Sequence, residues 1–178
     1  AWFSPSTVAN TDAPISSKLV LNFNLVELQK PVYLDFNEET SKIKSVFINQ
    51  TDVAILHKNE HIILPKKYLI KGNNTITIAF NAGELSLNRN EDYLYTLLVP
   101  DRARTLFPCF DQPNIKGVYT LNITAPGDWK VLSGSKKIKQ TQKGEYTQHE
   151  FGASDQMSTY LFSFVAGKFE SVTQNPAN

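Results

Sequence analysis

The chain has 178 residues, 41% hydrophobic and 11% aromatic, with 18 basic against 17 acidic side chains and a net charge of +1. That length suits one domain, or at most two small ones, and the apolar content is enough for a real core. The balanced, evenly spread charge gives no electrostatic ground for binding nucleic acid or an anionic membrane, and no apolar run approaches the roughly 20 residues that a membrane-spanning helix needs.

In chain order, the dominant period is two. Residues 18–26 alternate cleanly, as Lys18-Leu19-Val20-Leu21-Asn22-Phe23-Asn24-Leu25-Val26. So do 74–80 (Asn74-Thr75-Ile76-Thr77-Ile78-Ala79-Phe80) and 118–123 (Val118-Tyr119-Thr120-Leu121-Asn122-Ile123). Alternation of this kind predicts half-buried strands with one wet face. Shorter strands are expected over 31–36, 43–48, 52–57, 60–64, 93–98, 129–133, 145–151 and 159–165, where β-branched and aromatic residues concentrate. Lys71-Gly72-Asn73-Asn74, Ala125-Pro126-Gly127-Asp128 and Lys143-Gly144 supply turn chemistry between them. No amphipathic helix of three turns is visible; Pro65–Ile70 has room for a single helical turn before Gly72. Many short strands at regular spacing predict an all-β sandwich of mixed or antiparallel sheets with at most short helical turns.

Arg104-Thr105-Leu106-Phe107-Pro108-Cys109-Phe110-Asp111-Gln112-Pro113 stands apart. Each Pro fixes φ and removes a backbone donor, so neither a helix interior nor a central strand runs through it. Its apolar density predicts a buried, rigid connection, unusual because connections normally stay at the surface. Arg104 and Asp111 are expected to make structural hydrogen bonds to backbone or to each other. Cys109 is the only cysteine, which excludes an internal disulfide, and its neighbours Pro108 and Phe110 predict a buried, inert thiol.

His57-Lys58-Asn59-Glu60-His61 has the H-x-x-E-H order of an inverted zinc-peptidase motif. That spacing works on a helix, where positions four apart share a face. Here the flanks read as two strands joined by a Lys58-Asn59 turn, so a solvated hairpin tip is expected rather than a metal site or a small zinc hydrolase. His149, in an alternating stretch, is expected on the surface of a strand. Asn49, Asn73 and Asn122 begin sequon-like triplets that matter only in a eukaryotic secretory setting. The chain holds no H-E-x-x-H, G-x-S-x-G, C-x-x-C or Gly-rich phosphate loop. No metal ligand set is therefore expected in it.

The Arg-x-x-Phe-Pro-Cys-Phe-Asp-x-Pro segment resembles the signature that closes the N-terminal domain of the aminopeptidase N family of zinc metallopeptidases. Tyr93-Leu94-Tyr95-Thr96 upstream, Tyr119–Pro126, Trp129–Ser133 and Met157–Phe169 downstream, and Val32–Phe36 with Ile43–Asn49 in the first half follow the family's order. The resemblance covers essentially the whole chain. It implies a saddle-shaped all-β N-terminal domain over 1–172, with 173–178 starting a linker towards a catalytic domain. It also implies that zinc and the catalytic groups lie in that domain, which removes N-terminal residues from peptides, while this chain is non-catalytic and binds no cofactor. The expected partners are then the catalytic domain of the same polypeptide and, in the whole enzyme, a peptide substrate. The family also has a Glu or Gln five residues before the signature Arg that holds the substrate's amino group, often with a second polar residue two positions earlier. Here those positions are Val99 and Leu97, neither of which can accept a hydrogen bond. Either Asp101 substitutes, or catalytic-domain carboxylates hold the amine while Leu97 and Val99 wall an apolar subsite. Arg104, Phe107, Pro108, Cys109, Phe110, Asp111 and Pro113 are then a structural signature. A domain of this kind should carry an apolar patch, with the signature on or beside it. The alternative is a stand-alone β-sandwich binding or scaffold module. The start at Ala1 suggests a processed or trimmed N-terminus, and cytoplasmic and periplasmic settings both fit.

Overall fold

A computed structural model describes the backbone of residues 2–4 and the whole of residues 13–172; the expected linker at 173–178 lies outside the described residues. The strands are β1 (Trp2–Ser4), β2 (Ser16–Leu25), β3 (Val32–Asp35), β4 (Ile43–Ile48), β5 (Thr51–Val53) and β6 (His57–Lys58). They continue with β7 (His61–Leu64), β8 (Gly72–Asn81), β9 (Leu87–Arg89), β10 (Tyr93–Thr96), β11 (Lys116–Gly117) and β12 (Asn122–Pro126). The last are β13 (Lys130–Ser133), β14 (Lys137–Lys143), β15 (Tyr146–Phe151), β16 (Met157–Ser158) and β17 (Phe164–Gly167). Helical structure among the described residues is confined to single 3-10 turns at Thr40–Lys42, Lys66–Tyr68, Ala103–Thr105 and Thr159–Leu161. Among the described residues, no helix is long and apolar enough to cross a membrane.

The fold is an all-β sandwich. Its largest sheet has eight strands in the order β14-β15-β12-β1-β2-β8-β4-β5. A four-stranded sheet runs β13-β17-β10-β9, with smaller sheets β3-β7-β6 and β11-β16 beside it. Pairing is antiparallel except where β1 lies parallel to β12, so the large sheet is mixed. The period-two reading holds best in β2 and β8, which pair from Ser16↔Asn81 to Leu25↔Gly72. Asn74, Ile76, Ile78 and Phe80 of β8 all turn inward and are buried. They join Leu34, Ile62 and Leu64 from β3 and β7, Phe36 just after β3, and Leu94, Val131, Phe164 and Ala166 from the four-stranded sheet, in one core. Each large apolar side chain buried there contributes about 1.5–3 kcal/mol.

Four sequence expectations need correction. The strand expected over 118–123 joins its ladder only at Asn122. The one expected over 159–165 starts with the 3-10 turn at Thr159–Leu161 and becomes β17 at Phe164. The run 52–57 splits, with Thr51–Val53 and His57–Lys58 in different sheets. The hairpin turn is Asn59-Glu60, not Lys58-Asn59: both residues have positive φ (50° and 64°), and Lys58 pairs with His61. Positive φ at both central residues is the two-residue turn whose twist suits a hairpin. Asn49-Gln50, with φ of 49° and 70°, does the same between β4 and β5.

Candidate functional site

The outer face of the four-stranded sheet carries an apolar row, flanked by the polar Asn88 and Lys130. Tyr95 of β10 lies opposite Val165 of β17, which lies opposite Leu132 of β13. Directly opposed residues share a face, so these three form one row across three strands. Their neighbours Leu94, Val131 and Ala166 point the other way and are buried. Tyr93 stacks on Tyr95 with ring centroids 6.0 Å apart. Beyond the end of β10 the same alternation continues: Leu98 is 2% exposed, while Leu97 and Val99 are 54% and 55% exposed. Leu97 is held by its N–H donating to the Ser86 carbonyl at 2.9 Å. Leu132 is 62% exposed and Tyr95 40%. Isolated exposed apolar residues are ordinary, but a registered row extended by Leu97 and Val99 is the kind of surface that marks an interaction.

The signature follows directly. Asp101 is exposed and its carboxylate lies 3.5 Å from the Arg104 guanidinium. Arg104 does not reach Asp111 with its side chain. Instead, its backbone N–H donates to Asp111 Oδ2 at 3.1 Å, and Asp111 Oδ1 accepts from Thr159 Oγ1 at 2.6 Å. The buried Nε of Arg104 has no partner among the described residues. Phe107 packs edge-on against Phe162 and Phe110 edge-on against Phe23. Pro108 is buried, and the exposed Pro113 accepts Ser158 Oγ at its carbonyl, 2.7 Å away. Burial, with the nearby Asp111 and Asp35 carboxylates adding to it, pushes the Cys109 thiol well up from its usual range. Such a thiol is a poor nucleophile at neutral pH.

Sequence inspection missed Asp35, which anchors this segment. Asp35 Oδ2 accepts from the Asp111 N–H at 2.9 Å and from Gln112 Nε2 at 2.8 Å. These partners are 76 and 77 positions away, so no local pattern announces them. An Asp at the end of a strand, with an apolar core around it, was the one available signal.

The histidines do not assemble a metal centre. His57 opposes Ile62 and Lys58 opposes His61, so His57 and His61 lie on opposite faces of the hairpin. His57 Nε2 donates to the Phe36 carbonyl at 3.0 Å, which leaves Nδ1 to accept from Thr40 Oγ1 at 3.0 Å. His149 corrects the sequence expectation of a surface residue. It is buried, both ring nitrogens lack partners among the described residues, and burial, helped by Lys137, lowers its pKa to about 4. No group of three or more His, Cys, Asp or Glu that could hold a metal is found among the described residues. These residues therefore do not fit a catalytic zinc, which needs three protein ligands and an open position.

Residues 13–161 match the family described as Peptidase M1 N-terminal domain. The chain belongs to that family. Aminopeptidase N of Streptomyces lividans is 28% identical over 93% of this chain and 20% of its own length. Probable aminopeptidase 1 of Sulfurisphaera tokodaii is 30% identical over 74% of this chain and 17% of its own length. Glutamyl aminopeptidase of Sus scrofa is 43% identical over a shorter stretch, 42% of this chain and 8% of its own length. The M1 N-terminal domain described here thus spans a small fraction of the curated relatives it matches. A solved M1 zinc metallopeptidase from Deinococcus radiodurans shares the fold, with a TM-score of 0.75 and 16% identity over 93% of this chain and 40% of that one.

Proposed function

We propose that this M1 N-terminal domain is the non-catalytic part of a zinc-dependent aminopeptidase, and that it packs on the catalytic domain through the outer face of the four-stranded sheet. The observation that carries this is the registered apolar row Leu132–Val165–Tyr95, prolonged by Leu97 and Val99. A face of that composition is stable in water only at a cost that burial against a second domain removes. The names and lengths of its relatives support a peptidase parent.

In this reading Leu97 and Val99 wall the substrate cleft without contributing a polar anchor. Asp101, exposed but tied to Arg104 at 3.5 Å, is the sole carboxylate from Leu97 to Arg104 and the only one there that could accept from an amino group. Zinc and the groups that hydrolyse the peptide then reside in the catalytic domain, and this domain supplies shape. The test is Leu132→Glu with Tyr95→Glu in the full-length polypeptide. A drop in kcat/KM of about tenfold or more, with the Tm of the isolated domain unchanged, supports the reading. Equal behaviour of variant and parent in the full-length protein contradicts it.

A further inference from the structure

The signature segment reaches solvent through one side chain. From Ala103 to Cys109 every residue is buried except Arg104. The backbone of Arg104 is pinned on both sides: its N–H donates to Asp111 Oδ2 at 3.1 Å, and its carbonyl accepts the Asn37 N–H at 2.9 Å. The side chain therefore leaves from a fixed point on the 3-10 turn Ala103–Thr105, and 36% of it is exposed.

Within the domain the guanidinium lacks a good acceptor. Nε is buried and has no partner among the described residues. The one ion pair that the head makes among them is with Asp101, whose Oδ2 lies 3.5 Å from Nη2, beyond the usual N–H···O distance of about 2.7–3.2 Å. Asp101 is itself 59% exposed, and a pair so open to water contributes little. The carboxylates deeper in the segment already accept from other donors, Asp35 from the Asp111 N–H and Gln112, Asp111 from the Arg104 N–H and Thr159. A guanidinium is a rigid, permanently charged fork that matches both oxygens of a carboxylate. Covering most of one without such a partner is costly.

We infer that Arg104 is the charged anchor of the interdomain contact and receives an acidic side chain, Asp or Glu, from the catalytic domain of the same polypeptide. This rests on the docking proposed above. Asp101 stands two residues beyond Val99 and meets the Arg104 head, which sets the guanidinium at the end of the exposed apolar track of Leu97 and Val99. Apolar side chains at the centre with a charged pair at the polar rim is the ordinary composition of a protein interface. The relatives hold enough chain to supply the acid: the matched region is 20% of the Streptomyces lividans protein and 17% of the Sulfurisphaera tokodaii one. A permanent partner fits better than the carboxylate of a passing substrate, because the covered guanidinium needs an acceptor whether or not substrate is bound.

The test measures hydrogen exchange at residues 93–99 in the full-length polypeptide and in this chain alone, each as parent, Arg104→Gln and Arg104→Glu. Arg104→Gln should lower the protection of 93–99 in the full-length protein by about tenfold or more, with exchange in the isolated chain unchanged. Arg104→Glu, which sets like charges against each other, should lower it by roughly tenfold again, measured against the same variant of the isolated chain. Parental protection in full-length Arg104→Gln overturns the inference and leaves the docking intact. Equal exchange in the parent full-length protein and the isolated chain overturns the docking itself. An equal loss in isolated Arg104→Gln makes Arg104 an internal strut, and equal losses for the Gln and Glu variants make the acceptor uncharged; either result overturns the inference. So does unchanged exchange with a raised KM confined to peptides that carry an additional carboxylate, which assigns the fork to the substrate.

Discussion

Asp35 and Cys109 exchange both of their backbone hydrogen bonds, Asp35 N–H to the Cys109 carbonyl at 2.8 Å and Cys109 N–H to the Asp35 carbonyl at 3.1 Å. This single bridge fastens the signature segment to the end of β3. The Asp35 carboxylate then accepts from the Asp111 N–H and the Gln112 amide. The Asp111 carboxylate in turn accepts from Arg104 N–H and Thr159 Oγ1. The two carboxylates thus satisfy backbone donors that the two prolines and the absence of a ladder leave without partners.

Asp111→Ala removes the acceptor for two groups at a buried position. Leaving buried donors unpaired costs about 1–3 kcal/mol each. The variant should lose about 2–4 kcal/mol in urea denaturation, seen as a lower midpoint at an unchanged slope. An unchanged midpoint would mean that Asp111 does not hold the segment.

Much of the fold was legible because it is written in local alternation. Residues 18–25 and 74–80 carry the pattern without interruption, and both became long central strands. Strand β14 was missed because Lys137–Lys143 is a lysine- and glutamine-rich edge, and its pairing is dictated by β15. Charge on an edge strand protects against unwanted pairing, so its sequence looks like a loop. The burial of His149 was equally hidden. Its neighbours alternate, yet Thr147, Gln148 and His149 are all buried in succession. That follows from cover on both faces of β15, a tertiary fact. Leu97 and Val99 were singled out by the family resemblance, whereas the row Leu132–Val165–Tyr95 needed the strand register.

His149 makes the domain sensitive to acid. Its pKa falls from 6.5 to about 4 on folding, chiefly through burial and secondarily through Lys137. Between these values the unfolded chain binds the proton and the folded chain does not, so stability declines as pH falls from 6.5 towards 4. The full loss is about 3 kcal/mol. Comparing the chain with His149→Leu across this range isolates the effect from the carboxylates. The difference in stability between them should shift with pH over that window and be constant above it. A pH-independent difference would contradict the buried neutral imidazole.

Gly83 is required by a close approach rather than by φ. A Cβ there would collide with the Thr105 carbonyl and with Glu38 Oε1, while the Gly83 N–H donates to the Leu106 carbonyl at 3.0 Å. Because backbone cannot yield as a side-chain end can, Gly83→Ala should cost about 3 kcal/mol. Gly134→Ala, where nothing lies within 4 Å, should change stability by less than about 0.5 kcal/mol. Thermal melts of the two variants give the comparison, and similar losses would contradict the close approach.

The central claim is that the outer face of the four-stranded sheet is covered by a catalytic domain in the whole enzyme. Hydrogen exchange measured on this chain alone and within the full-length polypeptide tests it directly. The account predicts that protection of residues 93–99, 130–133 and 164–167 rises by about tenfold or more in the full-length protein, while β14 and β15 stay as they are. Identical exchange in these segments in the two proteins would contradict it.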